Sequence, residues 1–122
     1  MEMETGEKTF RPPVADADRT RATLATQMIA LCVGVTEEAM TARRRGPRAC
    51  RARWLSMYLA HVGYGWPLDR VGYAFGVNRA TAAAGCRWGE DARDDPAVDA
   101  LLDRLERQLR DLCEAPKLEL AG

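Results

Sequence analysis

The 122-residue sequence predicts an all-α fold, a small helical bundle built around a helix-turn-helix. Three observations lead there. Apolar residues recur three and four apart along most of the chain, the spacing of one helix face, and no stretch alternates as a strand would. Gly and Pro fall between those periodic segments, where they end one helix and open the next. Residues 66–88, WPLDRVGYAFGVNRATAAAGCRW, read as two short helices around a tight turn. This length suits one domain with a single modest core.

Residues 1–18 combine Pro12-Pro13, many charges and scattered apolar side chains, and read as a flexible N-terminal arm. A helix is expected from about Arg19 to Cys32, with Leu24, Met28, Leu31 and Cys32 on one face and Gly34 as its stop. Thr36 caps a short helix through Met40 to about Ala42, with Glu37 and Glu38 in its first turn. Residues 43–53, RRRGPRACRAR, carry six arginines around Gly46-Pro47, a loop between helices. A third helix should run from about Pro47 to Val62. Its apolar residues Cys50, Trp54, Leu55, Met57, Tyr58, Leu59 and His61 cover a wide face, so it is expected to be central and most buried.

In the stretch 66–88, Pro67 suits a helix start, and Leu68, Val71 and Phe75 share a face. Gly76 allows the positive φ of a helix end, and Asn78 is a good N-cap for a helix beginning near Arg79. In a helix-turn-helix the second helix enters the major groove and its first residues face the bases, here Arg79, Ala80 and Thr81. Ala80, Ala82, Ala83 and Ala84 with Gly85 make that helix slim, which suits deep approach to DNA and close packing on a neighbour. After Trp88, GEDARDD reads as an acidic connector. Asp95 and Pro96 open a last helix striped by Val98, Leu102, Leu105, Leu109 and Leu112. Two heptads favour packing on its own domain over a coiled coil. Its carboxylates are expected on a solvated face, with i,i+4 pairs Asp103–Arg107 and Glu106–Arg110. The domain is thus placed at 19–113, followed by a flexible tail at 114–122.

Charge is strongly segregated under a net of zero. Residues 41–88 hold nine arginines against Asp69, a local net of +8. Residues 1–40 carry −3 and residues 89–114 carry −5. A basic centre between acidic flanks fits a polyanion-binding face, and double-stranded DNA is the expected partner. Arg43, Arg44, Arg45, Arg48 and Arg53 are expected to hold phosphates, joined by Arg70 and Arg87 from the helical pair. Enzymatic chemistry is not expected. His61 is the only histidine and sits in an apolar helical pattern, and no phosphate-cradling glycine loop occurs. Cys32, Cys50, Cys86 and Cys113 show no CxxC spacing, so neither a metal nor another cofactor is expected, and the thiols should be reduced. No small-molecule substrate is implied. No apolar run approaches a membrane span and no secretory signal is visible, so a cytoplasmic, nucleoid-associated location is expected.

The residues also resemble a family, the C-terminal DNA-binding domain (domain IV) of the bacterial replication initiator DnaA, over roughly 22–112. The carriers are Val35-Thr36-Glu37-Glu38 before the arginine run, RWLSMYLA at 53–60, Leu68…Val71-Gly72…Ala74-Phe75-Gly76, and Cys86-Arg87. The resemblance implies that Arg51 enters the minor groove. It also implies that Asn78-Arg79-Ala80-Thr81 stand where the family reads bases in the major groove. Only Thr81 is kept of that signature, so the resemblance implies the family's docking mode with a different DNA sequence. No ATPase phosphate loop accompanies the domain here, and a free-standing domain of this kind looks like a transcriptional regulator. Similar stand-alone modules serve in activators of phage-like gene transfer agent genes, which implies RNA polymerase or a co-activator protein as a second partner. The alternatives are a protein–protein adaptor using the leucine-striped helix, or a regulator competing at initiator sites.

Overall fold

A computed structural model of the chain describes residues 14–121. Those residues form six α-helices in an all-helical bundle: α1 (Asp16–Val33), α2 (Glu37–Thr41), α3 (Pro47–Gly63), α4 (Leu68–Phe75), α5 (Arg79–Ala92) and α6 (Pro96–Glu114). None of them is long and apolar enough to cross a membrane.

Helix α3 is the centre, as its wide apolar face requires. Leu55, Met57, Tyr58, Leu59 and Ala60 are all buried, and α1, α2, α4, α5 and α6 each pack against it. Ile29, Met40, Val71, Leu102 and Leu109 supply fully buried side chains from the surrounding helices. Each such side chain contributes roughly 1.5–3 kcal/mol relative to exposure. Of the leucine stripe on α6, Leu102, Leu105 and Leu109 are spent on this core, while Leu112 is exposed.

Local chemistry sets most boundaries. Thr36 accepts from the Ala39 amide at 3.1 Å and Asp95 from the Ala97 amide at 2.9 Å, each satisfying an orphan donor of a first turn. Gly34 and Gly76 end α1 and α4 at φ +71° and +74°, a left-handed conformation that costs glycine little.

Three expectations need correction. Helix α1 begins at Asp16, so residues 16–18 belong to the bundle and not to the arm; the arm's residues 1–13 lie outside those described. The face of α1 is also shifted: Ala22, Ala25, Thr26 and Ile29 are buried and Leu24 and Met28 pack half-buried against the core, whereas Leu31 is 87 % exposed and Cys32 is exposed. Small residues won because they let α1 lie close against α3. Finally, the connector after Trp88 is shorter than expected, since Gly89–Ala92 continue α5. That polar turn is held by tertiary contact. A Cβ on Gly89 would stand 2.7 Å from Cβ of Tyr58, so only glycine lets the two helices approach this closely.

Candidate nucleic-acid interface

Helices α4 and α5 are joined by the three-residue turn Gly76-Val77-Asn78. The turn folds against α4. The Val77 amide donates to Gly72 O at 2.8 Å, and a Cβ on Gly72 would meet Val77 O at 2.8 Å. Asn78 Oδ1 accepts from the Thr81 amide at 2.8 Å and thereby starts α5. The helix then divides cleanly. Ala82, Gly85, Cys86 and Gly89 are buried, while Arg79, Ala80, Thr81, Ala84 and Arg87 are exposed. Burial pushes the Cys86 thiol up from 9.0 to about 11.

The buried face of α5 fixes its direction relative to α3. Gly85 faces Trp54 and Met57, and Gly89 faces Tyr58. Trp88 lies beside Trp54 with ring centroids 5.5 Å apart. The step from Trp54 and Met57 at Gly85 to Tyr58 at Gly89 advances along both helices, so the two run in the parallel sense. Their N-termini therefore share one end of the bundle. Arg53, in the first half of α3, is tied to the same place, donating to Phe75 O at 2.8 Å just ahead of the turn.

Neither N-terminus carries an acid in its first turn, and they bear Arg48 and Arg79 instead. Positive charge there opposes the helix macrodipole at about 0.3–1 kcal/mol per charge. The opposite end is acidic. Arg93 reaches across α6 to Asp99 and Glu106, each at 2.7 Å, and to Asp103. It also donates to Tyr58 Oη at 3.2 Å, and that hydroxyl donates to Glu90 at 2.6 Å. Burial works against the Arg93 charge, but its bonds to Asp99 and Glu106 outweigh that and raise its basicity. Burial, reinforced by the bond to Glu90, pushes the Tyr58 hydroxyl to about 12. Asp103 thus pairs with Arg93 and not with Arg107, while Glu106–Arg110 forms at 3.7 Å.

The arginines of residues 43–53 divide in two. Arg45 donates to Ala42 O at 2.8 Å and to Met40 O at 3.4 Å, at the end of α2. Arg48 donates to Val33 O at 2.7 Å, the last residue of α1. Arg53 serves the last residue of α4, and burial together with the nearby Arg45 lowers its basicity. Each satisfies orphan carbonyls at the negative end of a different helix. Arg43, Arg44 and Arg51 are exposed, with no side-chain partner among the described residues. Arg51 stands on α3 itself, not in the loop. Arg45, Arg48 and Arg53, all expected at phosphates, are thus turned inward here, and Arg53 is also half-buried. Arg70 also differs from expectation. It clamps Asp18 at 2.8 and 2.9 Å, lies over the Trp66 ring, and holds the Asp18 carboxyl below its ordinary value. Arg87 is exposed without such a bond, and Arg79 makes one loose contact with Asp69 at 3.4 Å.

Sequence reasoning gave Gly72 no role in the turn and missed Arg93. The glycine's need appears only once the turn folds back, and Arg93 looked like one charge among many. Comparison of the chain with models of known families, with curated proteins and with solved structures yields no match.

Proposed function

We propose that the chain is a DNA-binding protein of the helix-turn-helix class, with α4 and α5 as the motif and α5 as its recognition helix. Within that class we read it as a transcriptional regulator that docks in the manner of the DnaA domain IV family. The observation that carries this is the parallel arrangement of α3 and α5. It gathers two helix N-termini with Arg43, Arg44, Arg51 and Arg79 at one end of the bundle; the first three have no side-chain partner among the described residues, and Arg79 has only its exposed contact with Asp69 at 3.4 Å. Backbone amides at helix starts and free guanidiniums are what phosphate oxygens require.

In this reading Asn78, Arg79, Ala80 and Thr81 face bases, Arg51 enters the adjacent minor groove, and Arg43 and Arg44 hold phosphates. Asn78 has one lone pair of its oxygen taken by the α5 cap, so its amide N–H groups are the freer side for a base. RNA polymerase or a co-activator is the second partner in this reading. The adaptor alternative is weakened by the burial of Leu102, Leu105 and Leu109 in the chain's own core.

Gel-shift titration on genomic fragments tests the proposal. The expected result is salt-sensitive retention of double-stranded DNA with preference among fragments. Arg79→Ala should relax that preference. Absence of retention at low salt would sink the reading.

A further inference from the structure

At about 100° per residue, Ala80, Ala84 and Arg87 fall within roughly 60° of one another around α5. They stand opposite the buried face of Ala82, Gly85, Cys86 and Gly89. Ala80 and Ala84 are exposed, and so is Arg87, which has no side-chain partner among the described residues. Arg79, by contrast, projects to the side of this stripe, towards Asp69. The outermost line of α5 is therefore two methyl groups followed by one long guanidinium.

We propose that Arg87 is the principal base-reading residue of α5, hydrogen-bonded to a guanine, with Ala80 and Ala84 lying against thymine methyls. The proposal rests on the DNA-binding reading above. Ala80, Ala83, Ala84 and Arg87 follow the i, i+3, i+4, i+7 spacing with which homeodomain recognition helices read bases while lying along the groove. Alanines at the near positions let the helix axis come close to the base edges. An arginine one turn further on then reaches O6 and N7 of guanine in bidentate fashion, a geometry that phosphate contact does not need. From Ala80 to Arg87 is about 10 Å at 1.5 Å per residue, close to three base-pair steps of about 3.4 Å. The guanine should therefore lie about three base pairs from the pair nearest Ala80. Asp91, exposed one turn beyond Arg87, limits the footprint, because a carboxylate there repels the phosphate wall.

Selection of double-stranded sites from a random library with the full chain, repeated with Arg87→Ala and Arg87→Lys, tests this. The wild-type site should contain one strongly preferred guanine. Arg87→Ala should lose that preference, on the order of 10- to 100-fold at the one position, with unrelated DNA bound as before and the salt slope unchanged. Arg87→Lys should retain only part of it, because an ammonium lacks the bidentate fork. Both variants should keep the wild-type melting temperature, since no partner is lost. Ala84→Gln should weaken the selected site by holding the helix off the bases. Equal weakening on every sequence, with a salt slope lower by about one, is the signature of a phosphate contact and overturns the assignment. So does a wild-type chain that selects sites without that guanine, although DNA binding itself would stand. A chain that retains no DNA at all removes both readings.

Discussion

Within residues 43–53, six arginines look alike in sequence and do two different jobs. Arg45, Arg48 and Arg53 turn back onto the carboxyl ends of α2, α1 and α4. Arg43, Arg44 and Arg51 are exposed, with no side-chain partner among the described residues. A long guanidinium stem can either close a helix inside the bundle or wait for a ligand outside it, and composition does not distinguish the two. The basic segment is therefore part scaffold. The inward arginines hold still the helix ends between which the outward ones are displayed.

The largest effect should come from the most engaged inward arginine, outside this segment. Arg93→Ala removes the partner of Asp99, Asp103 and Glu106 and leaves three carboxylates facing one another. Discounted for the roughly half-exposed Asp99 and Asp103, a loss of about 2–3 kcal/mol is expected in urea unfolding. Next is Arg53→Ala. It strips Phe75 O of its donor beside the turn and should cost about 1–2 kcal/mol. The same change should also weaken DNA binding, because α5 starts from that turn. Arg48→Ala, at an exposed bond to Val33 O, should cost under about 1 kcal/mol. Arg51→Ala and Arg44→Ala should leave the urea midpoint unmoved and lower the salt slope of DNA binding by about one each. If either outward variant unfolds as readily as Arg53→Ala, the division into two jobs is wrong.

Alkaline titration sharpens the picture from the buried side of α5. Cys86 is kept neutral, with its folded value raised above 9.0 to about 11. Its contribution to stability is therefore complete below pH 9 and is lost as pH rises through 11. Melting temperatures across that window should fall, and Cys86→Ala should flatten the fall.

What could be read from the sequence was what short-range chemistry decides. Thr36, Gly76, Asn78 and Asp95 act on amides and carbonyls within a turn of themselves, so their roles were legible. The apolar width of α3 likewise announced its central place. The face of α1 was legible at Leu24 and Met28, which pack against the core, but not at its centre, because Leu31 outweighs an alanine on any hydrophobicity count, yet close helix packing selects Ala22 and Ala25. Gly89–Ala92 looked like a loop because Gly89 and Asp91 are poor helix residues in a polar run. Their helicity is supported by contact with Tyr58, 32 residues before Glu90. The arginine roles were illegible for the same reason. Arg53 and Arg70 find partners 22 and 52 residues distant, and nothing local marks which arginine will do so.

The charges on α3 and α5 run against their own peptide dipoles, with arginines at the amino ends and Glu90 and Asp91 closing α5. Dissolved ions relax that opposition in the free protein, since they screen exposed charge within about 10 Å at 0.1 M. On the DNA-binding reading proposed above, the same ions would compete with the arginines for phosphate. Added salt should therefore raise the melting temperature of the protein alone while lowering that of its DNA complex, so the two curves converge as ionic strength increases.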